Sequence, residues 1–286
     1  MLRLRDQILY TLLRLTRKSR IMNVITLIIS TIKDHYYELM DVDPTRYKPD
    51  AEMAALVDKT FEPYNKELKT VIGVTKSTLV RYFVLETPMD NVITDAVMWK
   101  FKPDVALSNG FRFCPPLVAS PEKPAEITND FLWSMLPVNS QARTGKVSGQ
   151  KIWNWLEKEL ENVFAKDPAK RFGGWVVRFA GMQINFTSQK PMGERLNWVK
   201  IKGEAIDKSK QYSIVACERE GDPEDAICRM MGVIDPVDTG VNLHDAIREY
   251  LGQHSPIEPK VEGRVECTDQ PADLLSQLDG YDYKFV

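Results

Sequence analysis

The sequence predicts an α+β fold, a single mixed domain preceded by a linker helix. Three observations carry that prediction. A capped helical pattern at 86–101 runs directly into a short apolar strand, Asp104–Leu107. A second helical stripe follows Ser148, with Ile152, Leu156, Leu160, Val163 and Phe164 at the spacing of one helix face. From Trp175 to Cys217 the pattern changes to strands, with Met182, Ile184 and Phe186 alternating against Gln183 and Asn185. Helices and strands therefore interleave irregularly and not in regular βαβ order.

Bulk properties narrow the class further. A chain of 286 residues with 43% hydrophobic and 27% charged side chains is composed like an ordinary soluble protein with ample core. A formal net charge of −2 supplies no general basic field, so nucleic acid is not an expected partner. Cys114, Cys217, Cys228 and Cys267 form no C-x-x-C pair, which excludes zinc-ribbon and thioredoxin chemistry. Buried free thiols are the default for them, with disulfides open in an oxidising compartment.

Taken in order, residues 1–20 are basic and 21–32 are uncharged. Twelve residues do not span a bilayer, which needs about twenty. A helix laying its apolar side on the protein is the expectation for this stretch; an export signal or anchor is the alternative, although no small-x-small cleavage site follows. Residues 31–43 read as a strand, and Asp50–Leu68 as a helix with Met53, Leu56, Val57 and Phe61 on one stripe. Residues 69–85 read as one or two strands. Thr87 is placed as N-cap, with Pro88 first in the helix and Asp90 three residues past the cap, bonding back to it. Met89, Val92, Ile93, Ala96 and Val97 make its apolar face, and Lys102-Pro103 ends it. The strand behind it delivers Ser108-Asn-Gly-Phe-Arg112 at its carboxyl end, where ligands bind in open sheets. A proline-rich loop spans 115–124, and a short helix at 129–136 is capped by Asn129 or Asp130. Residues 175–186, 198–201 and 211–217 form a meander, 241–251 a helix and 257–265 a last edge strand. The acidic tail from Thr268 is expected to be loosely held.

ETPMDNVITDA followed by DVALSNGFR resembles the opening of the 5'-nucleotidase C-terminal domain, and further steps of that family come in order. They are Glu126-Ile-Thr-Asn-Asp130, Leu136-Pro-Val-Asn139 and the run from Thr144 to Glu157. The resemblance covers about residues 69–265. It implies a layout of 1–48 as an N-terminal extension with the end strand of a missing metallophosphatase domain, 49–68 as linker helix, 69–265 as the recognition domain and 266–286 as tail. Nucleotidases of this type hold substrate with an N-[AG]-G-G-x-R loop, whose start Asn109-Gly110 matches while Arg112 comes two residues early. Their two base-stacking rings are absent, Val138 standing in one segment and Glu220–Ala226 replacing the other. Ser108–Cys114 and Asp167–Gly181 are closer to the thiosulfohydrolase branch of sulfur oxidation, which makes Arg112 and Arg178 candidates for an anionic group.

Such enzymes work with a dinuclear Mn or Zn centre that activates water and clamps the scissile group. This chain has three His, at 35, 244 and 254, with no D-x-H, G-N-H-[DE] or G-H-x-H pattern around them. No catalytic or metal-ligating residue and no resident cofactor is therefore expected here. The candidate substrate-binding residues are Asn109, Phe111, Arg112, Asn139 and Arg178. Asp90, Asn91 and Asp95 are read as structural, and Trp153, Trp155, Trp175 and Phe179 as core aromatics.

The expected function is substrate recognition for a metal-dependent hydrolase, inactive as an isolated chain. A free-standing binding or scaffold protein that kept the fold is the alternative. Expected partners are a small anionic ligand or carrier-bound substrate and a separate metallophosphatase domain, not a membrane. The resemblance implies a periplasmic location. Apolar surface left by the absent domain predicts self-association.

Overall fold

A computed structural model describes residues 24–28, 31–40, 45–110, 115–217 and 221–270. The chain divides into two compact units, Met1–Tyr64 and Asn65–Val286.

In the first unit β1 (Val24–Ile28) and β2 (Thr31–Tyr36) pair as an antiparallel hairpin. The helix expected over 21–32 is thus corrected to strand at these positions. Val24, Ile25, Thr26 and Ile28 are β-branched, stiff at χ1 and better suited to a pleat. The basic run of residues 1–20 lies outside the described residues. Helix α1 (Ala51–Phe61) is capped by Asp50, whose Oδ1 accepts from the Met53 amide at 2.9 Å. It does not run on to Leu68, because Pro63 falls in a 3-10 turn, Glu62–Tyr64. Its stripe of Met53, Leu56, Val57 and Phe61 is exposed, at 46–59%.

The second unit opens with α2 (Asn65–Leu68) and β3 (Val71–Thr75), followed by α3 (Pro88–Phe101) and β4 (Val105–Ser108). Next come β5 (Ala125–Thr128), α4 (Asn129–Met135), β6 (Gln141–Ser148) and α5 (Gly149–Phe164). Short β7 (Arg178–Ala180) and β8 (Met182–Phe186) lead to β9 (Leu196–Ile201), β10 (Glu204–Ala205) and β11 (Gln211–Cys217). Strand β12 (Ile234–Asn242), α6 (Leu243–His254) and β13 (Val265–Cys267) complete it.

A five-stranded mixed sheet has the order β12-β6-β11-β4-β7, with β11 and β4 parallel. A four-stranded sheet has the order β10-β9-β8-β13, and β3 pairs with β5. Helix α5 fills the space between the two larger sheets: Ile152, Leu156 and Leu160 are buried with Leu107, Ile214, Ile184 and Val199 in one cluster. Buried Glu157 on the same helix accepts from the amides of Gly193, Arg195 and Leu196, tying α5 to the start of β9. On the other side α3 packs Met89, Val92, Ile93 and Ala96 with Ile127, Leu132, Ile247 and Leu251. Val97 joins Ala106, Val215 and Leu243 in a third cluster.

Several expectations change in physical detail. The expected strand 175–186 is two strands in different sheets, broken at Gly181 (φ +79°). A Cβ there would meet the Asp104 carbonyl oxygen at 2.3 Å, so only glycine lets the chain switch sheets at this crossing. The meander is likewise corrected, since β11 leaves β8–β10 for the five-stranded sheet. Of 69–85 only β3 is strand, and of 257–265 only Val265 is. Strands β6 and β12 were hidden by polar sequence; buried Arg143 on β6 is matched by Asp238 on β12 at 2.5 Å. The cap of α4 is Thr128, its hydroxyl accepting from the Phe131 amide, while Asn129 is used by Glu67 O and Arg248 Nε.

The beginning of the tail is held, not loose. Asp269 Oδ1 and Oδ2 accept from the Ser188 and Gln189 amides, both at 2.8 Å. Burial pushes this carboxyl up, but those amides and the Cys267 thiol outweigh it and hold the group at about 2. A depressed carboxylate contributes stability above its unfolded value, near 3.9, and loses it as pH falls through its folded value. Amide exchange at Ser188 and Gln189 should therefore rise as pH drops from about 4 to 2. Asp269→Asn should remove that pH response in a hydrogen-exchange series corrected for intrinsic rates.

Candidate functional site

Strand β4 ends at buried Ser108, which pairs across β7 with Arg178. The chain then turns through Asn109 and Gly110, and Gly110 has φ +72°. A Cβ on Gly110 would lie 2.8 Å from Trp175 Cδ1 and 2.9 Å from Arg178 Nε. The loop is thus seated directly against those two side chains. Trp175 Nε1 donates to the Asn109 carbonyl at 2.5 Å, fixing the backbone at the point where the loop leaves the sheet. Phe111 and Arg112, the next two expected ligand contacts, lie outside the described residues.

Arg178 is buried and its guanidinium is committed to the fold. Nε is 3.2 Å from Asp90 Oδ2, and Nη1 and Nη2 donate to the carbonyls of Val84, Leu85 and Phe83. Asp90 is fully buried at the first turn of α3. It also takes Arg81 Nε and Nη2 on Oδ1 at 3.0 and 2.7 Å, and the Thr87 hydroxyl on Oδ2 at 2.7 Å. Thr87 caps the helix as expected, accepting from the Asp90 amide. Asp90 binds the cap's hydroxyl and two arginines, which is more than the capping role foresaw. Arg81 was not visible as a site residue, because a lone Arg in an apolar run carries no spacing signal.

A second buried network sits one turn along. Glu86 accepts from Asn91 Nδ2 at 2.6 Å and from the amides of Glu262 and Arg264 at 2.7 and 2.8 Å. Arg264 Nη2 reaches both Asp95 oxygens at 2.8 Å. Burial raises the Asp95 carboxyl above its ordinary value despite that arginine. Hence Glu86, Asn91 and Asp95 bind α3 to the segment entering β13.

Asn139 lies apart from this loop: its Oδ1 accepts from the His244 amide at 3.0 Å and caps α6, whose own N-cap Asn242 makes no side-chain bond. His244 is buried with Nε2 2.7 Å from the Leu136 carbonyl, and burial lowers its affinity for a proton. His254 Nδ1 faces the Tyr250 carbonyl. Among the described residues no three His, Cys, Asp or Glu side chains come together as metal ligands would. Cys228 and Cys267 are free thiols, and burial raises Cys228 far above the usual range. No helix among the described residues is long and apolar enough to cross a membrane.

The family profile for the 5'-nucleotidase, C-terminal domain, matches residues 45–218. This chain belongs to that family. No curated protein matches the sequence of this nucleotidase-type domain. Solved structures that share its fold include Thermus thermophilus sulfate thiohydrolase SoxB, at 20% identity and TM-score 0.72, covering 90% of this chain and 46% of that one. A 5'-nucleotidase precursor from Thermus thermophilus aligns at 20% identity and TM-score 0.70, covering 88% and 50%. Haemophilus influenzae NAD nucleotidase aligns at 16% identity and TM-score 0.57, covering 84% and 48%. The chain spans about half the length of these structures, and identities this low establish the fold alone.

Trp175→Phe keeps a ring under Gly110 but removes the donor to Asn109. The expected loss is about 1 kcal/mol in urea unfolding. Amide exchange at Asn109 and Gly110 should rise at least several-fold, with that of the α5 core unchanged.

Proposed function

We propose that this domain is the substrate-recognition part of a metal-dependent hydrolase of the 5'-nucleotidase and thiosulfohydrolase type. Its ligand is a small anionic molecule or carrier-bound substrate, held at the loop that begins at Asn109. The observation that carries the reading is the pinned exit of β4 inside a chain of this family: Trp175 and Arg178 fix Asn109-Gly110 at a strand's carboxyl end, where α/β sheets place ligands. Asn109, Phe111 and Arg112 are the proposed contacts. Arg178 supports the loop from beneath, and Asn139 holds α6.

Water activation belongs, in this reading, to a two-metal centre on a separate metallophosphatase domain. The working location is the periplasm.

The test is a pair of measurements on the full chain. NMR titration with thiosulfate and with AMP should show saturable shifts at Asn109 and Gly110, weakened roughly tenfold or more by Arg112→Ala, as loss of a charge-assisted contact requires. The same sample with Mn²⁺ should release no phosphate from AMP. Turnover by the chain alone would overturn the division of labour. Absence of shifts with either probe would leave a scaffold role.

A further inference from the structure

We propose that Phe172 and Arg229 form a second contact of this recognition site, taking the planar or apolar body of an organic anion. The inference rests on the reading above and names residues beyond the loop at Asn109.

Phe172 stands in the turn Arg171-Phe-Gly-Gly-Trp175. At 71% exposure it is the most exposed large apolar side chain among the described residues. The backbone that carries this ring is anchored. Its amide donates to the Asn162 carbonyl at 3.0 Å, and Arg171 Nε before it donates to the Ala165 carbonyl at 2.7 Å. Gly173 beside it rests on the Trp175 indole, whose ring atoms would lie 3.9 Å from a Cβ there. That same indole holds the Asn109 carbonyl. The exposed ring and the candidate loop thus share one anchor.

Arg229 places its guanidinium 5.8 Å from the centre of the Phe172 ring. One edge is bound to buried Glu159, yet the side chain remains 24% exposed. Burial raises the Glu159 carboxyl above its ordinary value even with this partner, so the pair is costly to keep. Backbone costs fall at the same place. Cys228 (φ +50°) and Arg229 (φ +64°) are consecutive non-glycine residues in the left-handed region, which side chains with a Cβ disfavour. Arg229 Nε is buried with no hydrogen-bond partner among the described residues. The segment is pinned in this conformation by Trp155 Nε1, which donates to the Cys228 carbonyl at 3.1 Å. Strain, an unpaired donor and an exposed ring on an anchored turn converge on one spot, the arrangement expected where a ligand supplies further contacts. An exposed ring binds a flat or apolar body, and the planar guanidinium edge beside it binds an oxyanion.

The test uses ligand pairs that share a head group and differ in the ring: benzenesulfonate against methanesulfonate, and AMP against ribose 5-phosphate. Dissociation constants are read from NMR titration of the full chain, following the Arg229 Nε–H and Gly173 amide signals. The ring-bearing member of at least one pair should bind about tenfold tighter, within what one aromatic stack contributes. Phe172→Ala should abolish that ratio, Phe172→Tyr should restore it, and Arg229→Lys should weaken both members of the pair. A preference for sulfonate or for phosphate tells the two anion sources apart. Unchanged ratios in Phe172→Ala, with binding still lost in Asn109→Ala, would overturn the Phe172 assignment and leave the recognition reading intact. If neither pair shifts any signal at the loop or the turn, both readings fall.

Discussion

Replacing Asp90 with alanine is expected to destabilise the domain by about 3–5 kcal/mol, the cost of breaking a buried ion pair from one side. The carboxylate is fully buried and serves Arg81, Arg178 and the Thr87 hydroxyl at once. Arg81 is itself buried, so removing Asp90 leaves its guanidinium with the Met135 carbonyl at 2.5 Å as its remaining partner. Desolvating a charge without a counter-charge is the dominant loss; the emptied volume of the side chain is secondary. Asp90→Asn keeps shape and one acceptor and should cost less, because a neutral acceptor still meets one arginine. Arg81→Met combined with Asp90→Ala should recover part of the loss, since both ends of one pair are then gone. Urea unfolding followed by tryptophan fluorescence measures all three. A single-mutant loss under 1 kcal/mol would show that water or rearrangement satisfies Arg81, contrary to the geometry.

The same cluster explains how much of the molecule was legible in its sequence. Helix α3 was readable because cap, proline and apolar stripe are local signals, and Thr87, Pro88 and Met89 occupy their expected places. Helix α5 was readable for the same reason, from Ser148 through Leu160. Strands β6 and β12 were not, because their stabilisation is not local. In β6, Arg143 and Lys146 interrupt any apolar alternation, and buried Arg143 is met by Asp238 and by the Glu224 carbonyl, both far off in sequence. The break at Gly181 was invisible for a related reason: the steric demand comes from Asp104, far off in sequence.

At the site, Asn109 stood out because a polar loop after an apolar strand is a local pattern. What holds that loop was not visible. Trp175 looked like one more core aromatic, and its role depends on a single donor aimed at a carbonyl 66 residues away. Arg178 looked like an anion ligand by type, while its neighbours Phe83, Val84 and Leu85 turn their carbonyls onto it. Residue type alone does not distinguish an arginine that presents itself to solvent from one that holds a loop.

Glu86→Ala is the second large effect, expected at about 3 kcal/mol or more. Its carboxylate accepts from Asn91 Nδ2 and from the Glu262 and Arg264 amides while only 5% exposed. Three donors would lose their acceptor in a place water reaches poorly, at roughly 1–3 kcal/mol for each one left unsatisfied. Glu86→Gln separates charge from shape. Its amide oxygen can still serve one side, but its NH₂ would face an N–H on the other, so an intermediate loss is expected. Because two of the three donors are backbone amides on the approach to β13, the damage should be directional: exchange at Arg264 and Val265 rises first, with α5 protected to the global limit. If Glu86→Ala instead raised exchange evenly, the carboxylate would be one contributor to a diffuse core and not the tie between α3 and β13. Glu86, Asp90, Asn91 and Asp95 therefore bear on binding through the fold itself. Loss of ligand binding in their variants identifies a contact residue only when stability is measured alongside; at Asn109 the chain already leaves the sheet, and binding and folding can be separated.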